Sequence, residues 1–184
     1  MAESTVIETE RLRIVTFSAE HLTSRYVGWL NDPDVVRFSQ QRLRKHTLES
    51  CRDYWRSFEG SPNYFWAIVA RDPELGHIGN MNAYVDTADQ VADVGILIGE
   101  RSAARKGHAT EAWTAVCAYL FAKGIRKVTC GTLAVNIPMM DLARRVGMKE
   151  DGRRVRQVLL NGSEVDVVYW ALFREDWHGS QGRR

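Results

Sequence analysis

Residues 91–121 read VADVGILIGERSAARKGHATEAWTAVCAYLF, and two periods meet inside them. Val94, Ile96 and Ile98 alternate with Gly95, Leu97 and Gly99, a β-branched run of strand length closed by Gly99 and Glu100. From Gly107 the period lengthens. Ala112, Trp113, Val116, Cys117, Leu120 and Phe121 recur at three- and four-residue steps, which stacks them on one face of a helix about four turns long. Gly124 stops that helix. An apolar strand passing through a short loop into an amphipathic helix predicts an α/β chain with its ligand site at this junction.

The loop, Ser102 to Gly107, carries Arg105 and Lys106 just before the glycine. The first N–H groups of a helix have no internal partner and the helix dipole favours negative charge, so a glycine here lets a pyrophosphate approach those donors. A solvated basic turn has the same composition, and both readings stay open on the loop alone. GxxxxGK[ST] is absent, and ARKGHA is not the GxGxxG of a dinucleotide fold.

A chain of 184 residues is one domain by size, long enough to bury about 70% of the surface its unfolded form exposes. We expect the domain over 1–178 and a mobile tail, GSQGRR, over 179–184. A net charge of +2 without a sustained basic run gives little support to a nucleic-acid surface. Cys51, Cys117 and Cys130 form no CxxC pair, which argues against a disulfide framework and a cysteine-rich zinc site; no metal is expected. MAESTVIETE lacks the apolar core of a signal peptide and no apolar run approaches a membrane span, so the chain reads as cytoplasmic, with no membrane partner.

In order, Glu10 to Phe17 reads as a strand, Ser18 as the cap of a helix bearing Leu22, Tyr26, Trp29 and Leu30, and NDPDVVRFS as a short helix or turn. Thr47 and Glu49 start a further helix that continues through Tyr54, Trp55 and Phe58 to Gly60. Tyr64 to Ala70 and Gly76 to Val85 read as paired strands, and Lys127 to Leu133 as another. Pro138 begins a short helix that Gly147 ends, and Val155 to Leu160 with Glu164 to Phe173 flank the hairpin signal Asn161-Gly162. No repeat or linker interrupts this order. A single mixed, mostly antiparallel sheet with helices on both faces follows.

VGILIG followed by ARKGHATEAW resembles the acetyl-coenzyme A signature of the GNAT N-acetyltransferase superfamily, Q/R-x-x-G-x-G/A, and in particular its RimJ/RimL-like branch. The likeness continues through VTCGTLAVN and MMDLARRVGM and covers most of the chain. It implies the GNAT acyl-CoA N-acyltransferase fold, in which the strands ending at Gly99 and near Leu133 splay apart to receive the pantetheine arm. It also implies transfer of acetyl from acetyl-CoA to a small-molecule primary amine. A homodimer stays open.

On that likeness the backbone of Ile96, Leu97 and Ile98 bonds the pantetheine, and Arg105, Lys106, Gly107, His108, Ala109 and Thr110 form the pyrophosphate loop. Asn136 matches an asparagine contacting the cofactor arm, or else caps the next helix. Arg145 is a candidate for the 3′-phosphate, or a solvated helix arginine. Asp93 lies eleven residues before Ala104, where histone-type members carry a glutamate base; a solvent-facing strand carboxylate is the alternative.

The chain also departs from the pattern. Ala104 holds the Q/R position, Ala143 the place of the usual tyrosine acid, and Met139 that of a RimL-type serine. Either solvent protonates the thiolate or another side chain does, with Tyr84, Ser102 and His108 as the candidates. The same departures motivate a rival reading, a non-catalytic acyl-CoA-binding module.

The acceptor segment, WLNDPDVVRFSQQRLRKHTLES, brings Phe38, Gln41, Arg42 and His46 close together, with Tyr84 from a strand. This run resembles GNAT members that modify amino sugars of surface polysaccharides. Arg42, Arg44, Lys45 and His46 offer charge-assisted donors to phosphates, and Gln41 and Tyr84 offer bonds to hydroxyls. An amino-sugar nucleotide is therefore the expected acceptor, with a protein N-terminus of the ribosomal-protein type as the alternative.

Overall fold

The structure, a computed structural model, describes residues 5–177. The tail over 179–184 and the end of the expected domain at 178 lie outside the described residues. Eight strands among these residues make one sheet: β1 Val6–Glu8, β2 Leu12–Thr16, β3 Tyr64–Ala70, β4 His77–Asp86, β5 Val91–Ile98, β6 Lys127–Leu133, β7 Lys149–Leu160 and β8 Ser163–Phe173. Their order in space is β1-β2-β3-β4-β5-β6-β8-β7. Neighbours pair antiparallel except β5 and β6, which run parallel, so the sheet is mixed and mostly antiparallel.

Among the described residues five α-helices cover its two faces: α1 Ser24–Asn31, α2 Pro33–Val36, α3 Leu48–Arg56, α4 His108–Ala122 and α5 Ile137–Arg145. Alternation along each strand divides the core in two. On one face α4 and α5 pack Trp113, Val116, Leu120, Met140 and Leu142 against Trp66, Ile68, Ala92, Val94 and Val128. On the other, Tyr26, Trp29 and Leu30 of α1 and Cys51 of α3 pack on Phe17, Phe65 and Ala67. Burying each large side chain contributes roughly 1.5–3 kcal/mol. All three cysteines are buried and free. No helix among the described residues is long and apolar enough to cross a membrane.

Three elements differ from the sequence expectation. Ser18 does not cap the Tyr26 helix. Its hydroxyl and backbone pair with His21 around a 3-10 turn over Ala19–His21, and Thr23 caps α1 by accepting from Tyr26 N at 3.2 Å. The expected first strand is preceded by β1, paired with β2 through Ile7↔Ile14. The last hairpin begins six residues earlier than Val155, at Lys149, because β8 supplies ladder bonds to a charged segment without apolar alternation, interrupted by register shifts near Gly152 and Arg156.

Candidate active site

The sheet forks at one point. β5 and β6 share the register pairs Val91↔Lys127, Ala92↔Val128 and Asp93↔Thr129 and then part. β5 stays with β4 as far as Ile98↔Gly79, and β6 stays with β8 as far as Leu133↔Val167. From Val94 to Ile98 one edge of β5 therefore has no strand partner, and Ile96, Leu97 and Ile98 are half-buried there. Two glycines let β5 pack closely against its other neighbours, α1 and β4. A Cβ on Gly99 would lie 2.0 Å from the Trp29 ring, and one on Gly79 would lie 2.2 Å from Leu97 O.

Beyond the fork the loop is pinned from both ends. Glu100 pairs with Arg25 and accepts from Ser102 N at 3.1 Å and Ser102 Oγ at 2.7 Å. The Arg25 bond, then those from Ser102, hold its carboxyl down at about 2. At the other end Arg11 donates Nη1 to Lys106 O at 2.8 Å and Nε to Glu111 Oε2 at 2.6 Å. Glu111 also accepts from Thr9 Oγ1 at 2.6 Å and Arg11 N at 2.8 Å. Burial opposes ionisation of Glu111, and these bonds overcome it and keep its carboxyl below its usual value.

Gly107 caps α4 at φ +84°, a left-handed conformation that side chains rarely adopt, and Arg105 is also left-handed at φ +60°. Arg105, Lys106 and Gly107 are exposed, while Ala109 and Thr110 are half-buried in the first turn. The N–H groups of His108, Ala109 and Thr110 have no carbonyl inside the helix to reach. An open loop, a bare glycine, two cations, helix-start donors and an unpaired strand edge suit a phosphate-bearing arm that ends in amide groups.

The imidazole of His108 is buried, with Nδ1 3.2 Å from Ala103 O; the carbonyl only accepts, so Nδ1 carries the proton. Asn136 caps α5, its Oδ1 accepting from Met139 N at 3.4 Å and its Nδ2 donating to Thr132 Oγ1 at 3.0 Å. That geometry meets its capping role and leaves one N–H. Arg145 stands exposed on the last turn of α5.

Asp93 occupies the vertex of the fork. Its side chain reaches solvent, yet the protein around it raises its carboxyl above the ordinary value, against a bond from Thr129 Oγ1 at 2.9 Å. Opposite it on β4 stands Tyr84, whose hydroxyl lies 3.1 Å from that of Tyr54. Burial, then that bond, pushes the Tyr54 hydroxyl up. Of the residues considered as thiolate acids, Ser102 already donates to Glu100 and His108 faces Ala103, whereas Tyr84 is partly open.

On the α1–α3 face a cavity of about 490 Å³ opens against β4 and β5. Of the expected acceptor residues it brings together Gln41, His46 and Tyr84, along with Arg44 and Lys45. Phe38 and Arg42 are outside the lining. Phe38 packs under the Arg37 guanidinium at 4.4 Å, and Arg42 donates to Ser39 O at 2.8 Å and Leu159 O at 3.3 Å, tying the segment to the last hairpin. His46 is held by Asn31, which bonds its N and O at 2.9 Å each.

Sequence reasoning missed Asn80, Asn82 and Tyr54 in this lining and Arg11 and Glu111 at the loop. A signal for the first two exists. They are the polar residues of GNMNAY, on an otherwise apolar strand. Gly95, Ile96 and Leu97 both line the cavity and border the fork, so the two spaces meet across β5.

A protein-family model described as an acetyltransferase (GNAT) domain matches residues 11–149. The protein named uncharacterized N-acetyltransferase YnaD, of Bacillus subtilis (strain 168), is 21% identical over 173 residues, covering 94% of this chain and 99% of the relative. RimL, a ribosomal L7/L12 alpha-N-protein acetyltransferase solved with coenzyme A, superposes with a TM-score of 0.81 at 15% identity, over 94% of this chain and 99% of that one. Spermidine N-acetyltransferase from Vibrio cholerae, solved with CoA and spermine, gives 0.79 at 14% identity, over 91% and 98%. These two structures share the fold. The family model spans most of the chain, including β5, the glycine loop and α4, so this chain belongs to the GNAT acetyltransferase family and is an acetyl-CoA-dependent N-acetyltransferase.

Proposed function

We propose that the acceptor is an amino-sugar nucleotide, acetylated on its amine. The observation that carries this reading is the cavity lining, which offers hydroxyls, amides, an imidazole and the cations Arg44 and Lys45, and among the described lining residues no carboxylate. A polyamine needs acidic partners to replace its lost hydration; phosphates and sugar hydroxyls suit what is here.

In this reading His108, Ala109 and Thr110 bind the pyrophosphate through their N–H groups above Gly107, while Arg105 and Lys106 add charge and Arg145 meets the 3′-phosphate. Ile96, Leu97 and Ile98 pair with the pantetheine along the open edge of β5, and the spare N–H of Asn136 faces it from the other arm. Bound acetyl-CoA supplies an activated acetyl carbonyl whose C–S bond breaks as the new C–N bond forms. Asp93 takes a proton from the acceptor ammonium to free its lone pair, a role its raised carboxyl suits. Tyr84 donates a proton to the departing thiolate and is restored by the second proton that the nitrogen sheds as the amide forms. Gln41 and His46 orient the sugar, with Arg44 and Lys45 on its phosphates.

The rim provides the test. Arg44→Glu with Lys45→Glu lowers kcat/KM for a uridine-diphosphate 4-amino-hexose by roughly ten- to hundredfold and leaves the KM for acetyl-CoA unchanged. An unaltered kcat/KM would remove the nucleotide from the cavity.

A further inference from the structure

Asn82 stands in the middle of the cavity's β4 wall with an unused amide. Alternation places Asn80, Asn82 and Tyr84 of β4 on the cavity face, opposite Leu97, Gly95 and Asp93 of β5. Its two neighbours in that row are committed. Asn80 is 4% exposed, its amide taken up by Trp66 O at 3.2 Å and by the His77 imidazole. Tyr84 meets the Tyr54 hydroxyl at 3.1 Å. Asn82 is half-buried, and among the described residues neither of its amide atoms is hydrogen-bonded or sealed from the cavity.

Gly95 makes room for that amide. The two residues are register partners, and a Cβ on Gly95 would lie 2.6 Å from Asn82 Oδ1 and 3.5 Å from its Nδ2, so the amide lies over the glycine. Gly95 is also the first residue on this face past Asp93↔Thr129, the last pair that β5 shares with β6. Asp93 is the diagonal neighbour of Asn82, about 7–8 Å away by ladder geometry, and a single nitrogen between them reaches both side chains.

We propose that Asn82 Oδ1, seated over Gly95, accepts a hydrogen bond from the reacting amine of the acceptor and so aims its lone pair. This rests on the cavity being the acceptor site and on Asp93 as the base. Of the three N–H groups of an ammonium, Asp93 takes one proton, another is shed as the amide forms, and Asn82 holds the N–H that survives in the product. A carboxylate in its place would favour the charged ammonium, whereas a neutral amide bonds the nitrogen before and after the proton leaves.

The experiment measures, by calorimetry with coenzyme A present, binding of the uridine-diphosphate 4-amino-hexose and of the same nucleotide with hydrogen in place of the amine. Asn82→Ala binds the amine about threefold to tenfold more weakly than the parent does, and the deaminated nucleotide equally well. Its kcat for the amine falls about tenfold to hundredfold, because the lone pair is no longer aimed. Gly95→Ala, which must displace the Asn82 amide, gives losses of the same kind, and adding Asn82→Ala to it costs nothing further. Equal weakening of both nucleotides marks a merely structural role and overturns the proposal, as does unchanged binding of the amine, or losses that multiply in the double variant. If the parent binds neither nucleotide and acetylates spermidine or a peptide, the sugar reading alone has failed. Asn82→Ala is then assayed on that amine, and an unchanged kcat overturns the role of Asn82; a parent that acetylates none of them overturns both.

Discussion

Thr129 donates its hydroxyl to Asp93 Oδ2 at 2.9 Å, and these two residues form the last register pair β5 and β6 share before the fork opens. Although Asp93 reaches solvent, partial desolvation by the protein packed around it raises the carboxyl, this bond lowers it, and the first effect prevails. If Asp93 is the base, Asp93→Asn lowers kcat by roughly 10²- to 10⁴-fold and removes the acidic limb of the pH–rate profile, with the affinity for acetyl-CoA unchanged. A native carboxyl with a raised value binds more protons than the unfolded chain, so this group's contribution to stability falls as pH rises through the window from its unfolded to its folded value. Asp93→Asn therefore melts no lower than the parent at neutral pH. Full activity with the acidic limb intact excludes Asp93.

Thr129→Val separates the two effects on that carboxyl. Losing the donor leaves the partial desolvation unopposed, so the acidic limb of the pH–rate profile moves to higher pH while the maximal rate changes little. A limb that stays in place, or moves lower, rejects the link between Thr129 and the base.

Gly107→Val attacks the loop. The nearest atom to an added Cβ is Arg11 Nη2 at 3.4 Å, so space is tolerable and the penalty comes from φ +84°, on the order of 1–3 kcal/mol for a β-branched residue. Calorimetry should find binding of coenzyme A abolished in a protein that still folds with a lowered melting temperature. Unchanged affinity would sink the assignment of ARKGHA.

Much of this was legible because the apolar periods are strong. The helix from Gly107 buries every residue of its expected stripe, and Tyr64–Ala70 and Lys127–Leu133 are strands at the expected bounds. Lys149 to Arg154 was not legible, since its six residues are exposed and owe their extension to β8. The phosphate loop was visible from local sequence, whereas its anchor was not. Arg11 and Glu111 meet across a hundred residues, joined by the docking of β1 and β2 beside α4. The acceptor cavity was half legible. Gln41 and His46 come from one segment, but the other wall is built by Asn80 and Asn82, whose facing depends on the register of β4 with β5.

Arg11→Ala tests that anchor. The pair is partly exposed, with 45% of the Arg11 side chain accessible, so its loss costs about 1 kcal/mol. The KM for acetyl-CoA should rise roughly threefold to tenfold at unchanged kcat. An unaltered KM shows that the loop holds its shape without Arg11.

Glu100 contributes a pH dependence of stability. Its folded value of about 2 lies below the usual 4.5, so the stabilisation is present above about 4.5 and is lost as pH falls through about 2. Glu100→Gln should lower the melting temperature at neutral pH and leave a shallower decline between pH 5 and 2, measured by calorimetry. Parallel parent and variant curves across that range contradict the role of the Arg25–Glu100 pair.

The most direct test of the acceptor assignment is kcat/KM, by acetyl-CoA-dependent thiol release, for a uridine-diphosphate 4-amino-hexose against short peptides with free N-termini and against spermidine. The cavity chemistry predicts the highest value for the sugar nucleotide. A higher value for a peptide or for spermidine, or thiol release with no amine in the panel, would contradict it.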